Sequence, residues 1–231
     1  MQCRGISLLL GLIMSVGLSG CLNGSSSDAT PQTPVAALSF LHAAPASPSL
    51  SVLLDDKILN TSAFNYASYS GYVSLDPGTH KLRFNSGTDG STKLDTSVTV
   101  SASKAFSYFL YNQGSKMKSF LAVDDSPAFA LSNGIMVRVV HLSPDLQDVK
   151  VVLAGESKSL TEQIGFTEAT TFTEYTAKTS TVEIRSTSDN SLIASQGFDP
   201  VPHQFLTIAI LGYVTPPNAN PNKLAVKVII N

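Results

Sequence analysis

Leu38-Ser39-Phe40-Leu41-His42-Ala43-Ala44-Pro45 and Val137-Arg138-Val139-Val140-His141-Leu142-Ser143-Pro144 are the two stretches on which the fold turns. They align without a gap, and the same offset carries Leu50, Val52 and Leu54 onto Val149, Val151 and Leu153. With small gaps Leu82 and Phe84 meet Val182 and Ile184, and Phe106 meets Phe205. Apolar positions recur while the polar ones between them differ, the pattern expected when one supersecondary unit has been duplicated.

Within each copy the hydrophobic period is two. Lys81-Leu82-Arg83-Phe84, Leu94 through Val100 and Thr181-Val182-Glu183-Ile184-Arg185 alternate apolar with polar, which marks strands with one buried and one wet face. Turn formers separate them at Asp55-Asp56, Asp76-Pro77-Gly78, Thr88-Asp89-Gly90, Ala154-Gly155-Glu156 and Ser188-Asp189-Asn190. About seven short strands per copy predict an all-β chain of two tandem immunoglobulin-like antiparallel β-sandwich domains, over residues 35–127 and 128–231. The boundary is expected in the segment from Asp124 to Gly134, which is short enough to limit motion between the sandwiches.

Residues 1–20 read as a secretory signal: Arg4 in the charged region, an apolar run from Ile6 to Val16, then small residues. That run is too short to span a bilayer. Leu18-Ser19-Gly20-Cys21 resembles the lipobox of bacterial lipoproteins. The resemblance implies that Cys21 becomes the lipidated first mature residue and that residues 21–34, rich in Ser, Gly, Pro and Thr, form a flexible tether. By resemblance to the sorting of proteobacterial lipoproteins, Leu22 after that cysteine implies the outer membrane of a Gram-negative cell envelope.

The repeated strand ending in His-x-x-Pro, clearest at His141-Leu142-Ser143-Pro144-Asp145, resembles the bacterial domain of unknown function 4397, as does the Leu75-Asp76-Pro77-Gly78-Thr79 turn. The resemblance implies two tandem copies covering most of the mature chain. Each copy departs from the family pattern once, with Ala44-Pro45-Ala46 in the first and Ala177-Lys178-Thr179 in the second. It implies a fold and no activity.

The 231 residues carry 15 basic and 17 acidic side chains, and the lone Arg4 leaves with the signal. A mildly acidic chain without a basic cluster has no electrostatic basis for holding nucleic acid. The only cysteines are Cys3 and Cys21, so no disulfide is expected in the folded body.

His42 and His141 are equivalent in the repeat and fall on the predicted core side of their strands. Read as chemistry they would be ligands or proton carriers. Read as structure they, with Pro45, Pro144 and Asp145, would brace the following turn, and the structural reading is the stronger because a zinc site needs three or four converging donors. His80 and His203 are isolated, so no metal or cofactor is expected. Ser101-Ala102-Ser103-Lys104, Ser188-Asp189-Asn190 and Lys178-Thr179-Ser180 match boxes of serine β-lactamases, but in the wrong order and across two copies. Tyr66, Tyr69 and Tyr72 form the one aromatic group and are candidates for stacking a glycan or an extended peptide. The corresponding second-copy residues, taken as Glu168 to Glu174, read as polar.

The sequence therefore predicts a non-enzymatic cell-envelope lipoprotein that binds or scaffolds, with the membrane reached through Cys21 and an envelope protein or glycan as partner. The tyrosine surface is one alternative. An envelope hydrolase with an unrecognised site is another, and it would need a pocket with at least two converging titratable groups.

Overall fold

The computed structural model describes residues 34–125, 127–217 and 220–231. Cys21, the signal and the tether lie outside the described residues. Among the described residues the regular elements are sixteen strands and no helix. In the first sandwich one sheet has the order β4 (Tyr69–Leu75), β1 (Ala36–His42), β7 (Ala105–Gln113), β8 (Lys116–Val123), and the other the order β3 (Lys57–Ile58), β2 (Leu50–Leu54), β5 (Gly78–Ser86), β6 (Thr92–Val100). The second sandwich repeats this order strand for strand. Its sheets are β12 (Thr173–Thr176), β9 (Gly134–His141), β15 (Phe205–Leu211), β16 (Ala225–Ile230), and β11 (Thr161–Ile164), β10 (Val149–Leu153), β13 (Ser180–Ser186), β14 (Leu192–Phe198).

The turns repeat as closely as the strands. In the β5–β6 hairpin Ser86 Oγ accepts the amides of Thr88 and Asp89, and Asp89 accepts the Ser91 amide and hydroxyl. Ser186, Ser188, Asp189 and Ser191 do the same between β13 and β14. The left-handed position is filled by Gly90 at φ 71° and by Asn190 at φ 60°, residues that adopt it at little cost. Ser188-Asp189-Asn190 is thus a hairpin turn, and Ser101-Ala102-Ser103-Lys104 occupies the turn between β6 and β7.

The double sandwich is all-β, but its inner sheets are mixed where antiparallel pairing throughout was expected. β1 runs parallel to β7, and β9 parallel to β15. The chain between the members of each pair passes through the other sheet, with β4 or β12 returning to the edge of the inner one, so both partners enter from the same end. Parallel pairs of this kind are buried on both faces and read as continuous apolar runs. All eight residues of β9 are buried.

Burial on both faces has a specific cause. Each sandwich has its own core, one around Leu38, Phe40, Leu82, Phe84 and Tyr108, the other around Val137, Val139, Val182, Ile184 and Ile208. A third cluster joins the outer face of the first inner sheet, through Leu41, Phe109 and Phe120, to that of the second, through Val140, Ala209 and Ile229. Four sheets stack in one compact unit spanning 34–231.

Candidate functional site

Both histidines close the ends of the parallel strands. Each is fully buried. His42 Nε2 donates to the Pro48 carbonyl at 3.0 Å, and its Nδ1 accepts the Ala44 amide at 3.3 Å. His141 repeats both bonds with Gln147 and Ser143 at 3.3 Å. Burial pushes both imidazoles below the ordinary histidine range. With both ring nitrogens engaged, neither ring presents a lone pair to a metal. The prolines that follow differ in use. Pro45 O accepts Asn220 Nδ2 at 2.9 Å and Asn222 Nδ2 at 2.8 Å, a link between sandwiches. After Pro144, Asp145 does not cap its own turn. Its carboxylate accepts the amides of Val214 and Thr215, both at 2.8 Å, and so holds the loop that carries Asn220 and Asn222.

The tyrosines do not form one exposed platform. Tyr66 and Tyr69 pack into the cluster between sandwiches, and among the described residues their hydroxyls are buried without a hydrogen-bond partner. Burial pushes the Tyr66 phenol up to about 12 and raises Tyr69 despite the neighbouring Ser39 and Tyr72 hydroxyls. Tyr66 and Tyr69 are half-buried, and Tyr72 is the most open of the three at 37% exposed, while its hydroxyl donates to Asp124 at 2.5 Å.

Backbone bonding also corrects their second-copy equivalents. Ala67 N bonds His42 O as Thr167 N bonds His141 O, and Phe40 N bonds Ser70 Oγ as Val139 N bonds Thr170 Oγ1. The counterparts of Tyr66, Tyr69 and Tyr72 are therefore Phe166, Ala169 and Phe172, two aromatics and one small residue. Tyr66 meets His42 edge-on as Phe166 meets His141. The aromatic character belongs largely to the shared packing.

A polar centre between the sandwiches escaped the sequence reading. Arg138, 1% exposed in the middle of β9, pairs with the buried Asp124 just beyond β8. Its Nε donates to Thr207 Oγ1 at 2.8 Å and a terminal nitrogen to Ser107 Oγ at 2.6 Å. The guanidinium also lies 4.7 Å from the Phe172 ring centroid and 5.4 Å from that of Phe109. Asp124 accepts Ser107 as well as Tyr72. The available signal was a lone arginine between Val137 and Val139 where the first copy has Ser39.

A cleft of about 350 Å³ opens on one side of the first sandwich. Phe40, Val52, Phe64 and Val73 give it an apolar floor, and Thr61, Ser62, Ser68 and Ser70 a hydroxyl-bearing rim. It exists because the segment from Leu59 to Phe64 bows away from β2. In its place Asn60 Oδ1 accepts the Val52 amide at 2.7 Å and Nδ2 donates to the Leu50 carbonyl at 3.1 Å, an amide side chain standing in for a strand partner. Tyr69 is the single titratable residue lining the cleft, and its hydroxyl is turned away, buried in the cluster between the sandwiches. An uncharged lining of this kind recognises a neutral group and supplies no acid–base pair.

No curated protein matches the chain. Among solved structures it is similar to the crystal structure of CBMbc, of carbohydrate-binding family CBM26, from Eubacterium rectale Amy13K in complex with maltoheptaose, with 10% identity and a TM-score of 0.26 over 85% of this chain and 97% of that one. A likeness that weak assigns nothing to this chain. Residues 36–152, the whole first sandwich together with β9 and most of β10, match the family described as "Domain of unknown function (DUF4397)"; the second copy rests on the repeated strand order and bonding. The chain belongs to the DUF4397 family.

Proposed function

We propose that this protein is a non-enzymatic cell-envelope lipoprotein whose folded block binds or scaffolds a partner at the outer membrane. The observation that carries the binding reading is the cleft of the first sandwich, with its apolar floor, hydroxyl rim and uncharged lining. A hydrolase there would need at least two converging titratable groups. The lipobox-like Leu18-Ser19-Gly20-Cys21 supports anchoring, since several acyl chains at about 0.8 kcal/mol per buried CH₂ hold a protein at a bilayer.

The test compares intact mass and membrane fractionation of the native protein with a Cys21→Ser variant, with crosslinking of the wild type in membranes. A triacylated mass in the outer-membrane fraction, lost in the variant, together with reproducible crosslinked neighbours, is the expected result. An unlipidated and freely soluble wild type overturns the envelope placement.

A further inference from the structure

Folding assembles, at one corner of the first sandwich, a basic cluster that no run of the sequence shows. Lys93 from β6 and Lys116 and Lys118 from β8 line a second cleft, of about 330 Å³, with the Ser47 and Ser115 hydroxyls and with Met117. β6 and β8 are edge strands of different sheets, so the two sheets contribute lysines to one space. All three lysines are exposed. Among the described residues the ion-paired lysines are Lys81, Lys104, Lys150 and Lys178, none of them in this cleft, and no carboxylate lines it. Asp89 and Asp95, the acids nearest in sequence to Lys93, are committed to Ser91 and to Arg83. Ser47 is held ready to donate. Asn112, 1% exposed, gives its Nδ2 to Ser47 Oγ at 3.1 Å and accepts the Ala46 amide at 2.8 Å, which leaves the Ser47 proton for an acceptor in the cleft.

The shared fold does not call for this cluster. Strand register sets Lys93 against Ile193 and Lys118 against Ala225, and the repeat offset sets Ser47 against Leu146. Lys116 alone keeps a basic counterpart, Lys223. Like charges brought together repel unless a counter-charge joins them. We propose that this cleft binds the phosphate group of a small phosphorylated ligand of the sugar-phosphate class. The inference goes beyond the binding reading carried by the uncharged cleft, adding a second site and its ligand class. Phosphate follows from three ammonium groups and oriented hydroxyls around one space, since lysine meets phosphate oxygens as a point charge through charge-assisted bonds. A small, hydroxyl-bearing body follows from the hydroxyl-rich lining and from a volume in the range of small-molecule sites, about 300–1,000 Å³.

The experiment titrates the full chain, purified in an uncharged detergent at low ionic strength, with glucose 6-phosphate and with glucose, reading amide chemical shifts and calorimetry. Shifts confined to residues 46–48, 92–93 and 113–118 are expected with the phosphate ester and none with glucose. The double variant Lys93→Ile, Lys118→Ala, which copies the second sandwich, is expected to weaken binding at least about tenfold, and Ser47→Ala at least about threefold. Should the double variant fail to fold, Lys116→Gln gives the same reading. Lys158→Gln, on the second sandwich, removes one positive charge elsewhere and is expected to leave the affinity unchanged. Absence of shifts at millimolar glucose 6-phosphate, an equal response to glucose, or a loss in Lys158→Gln as large as in the double variant overturns the proposal, as does undiminished binding in the folded cleft variants. Binding only to phosphatidylcholine vesicles that carry phosphatidic acid also overturns it, by assigning the lysines to a lipid headgroup. Shifts confined to residues 61–73 overturn it as well, while leaving the uncharged cleft as the binding site.

Discussion

Arg138→Ser places in the second copy the residue that the first copy carries at Ser39, and it tests whether the centre between the sandwiches is a coupled unit. The guanidinium loses the Asp124 carboxylate, Thr207, Ser107 and the faces of Phe172 and Phe109. Asp124, itself 6% exposed, keeps only the Tyr72 and Ser107 hydroxyls from that centre. Removing one partner of a buried pair costs about 3–5 kcal/mol, because the remaining charge is neither solvated nor paired. For a folded block of this size that loss lowers the melting temperature by about 10 °C. Asp124→Asn, the residue of the equivalent position Asn231, costs a similar amount by stranding the guanidinium. The double variant replaces both ions with neutral hydrogen-bonding groups. Its loss is therefore expected to be smaller than the sum of the single losses by at least about 2 kcal/mol, within the range reported for contacting residues. The assay is urea unfolding followed by circular dichroism, with the m-value checked in all four proteins. Strict additivity, or single losses under about 0.5 kcal/mol, would refute the coupling.

Other consequences follow from individual groups. Tyr66→Phe, which copies Phe166, removes a buried hydroxyl without a described partner and is expected to raise stability by about 1 kcal/mol in the same unfolding assay. Burial lowers the pKa of His42 and His141, so the unfolded chain takes up protons first. Their contribution is complete above the ordinary histidine pKa of about 6.5 and declines below it, by at most about 1.4 kcal/mol per pH unit for each ring. Unfolding free energies at pH 7, 6 and 5 should show this fall, and His42→Asn should make it shallower; a flat profile would remove the role given to the buried rings. Gly212 sits at φ 82°, and a Cβ there would run into the Lys223 carbonyl. Gly212→Ala is expected to cost about 1–3 kcal/mol and to loosen the loop that reaches Pro45, measured by amide exchange at Asn222.

The strands, their duplication and most turns were legible because one-sided burial imposes a period of two and turn chemistry marks each reversal. Other features were not. The parallel pairs β1–β7 and β9–β15 depend on sheet order, which periodicity does not encode. Their apolar runs, each interrupted by one polar residue at Ser39, Ser107, Arg138 or Thr207, carry the mark of burial on both faces. The tyrosine equivalences failed for a different reason. The offset between copies changes across the loop before Phe64 and Ile164, where polar residues carry no pattern, so the tyrosines were matched only to the segment from Glu168 to Glu174, and Phe106 was set against Phe205 where strand register places it against Leu206. The cleft was illegible for the same reason, since it arises from one extra residue and an asparagine that substitutes for a strand.

Corresponding positions between the sandwiches show how the copies have become unlike each other. Arg138 stands against Ser39, Asn231 against Asp124, Phe172 against Tyr72 and Thr207 against Ser107, each equivalence fixed by strand register or backbone bonding. A centre built twice from first-copy residues would bury carboxylates without a cation, and one built twice from second-copy residues would bury guanidinium groups without a carboxylate. Either costs several kcal/mol per ion. Only the unlike pairing satisfies both charges, with Asn231 completing it by accepting Thr207 at 2.5 Å. Divergence of the two copies is thus a condition of their packing.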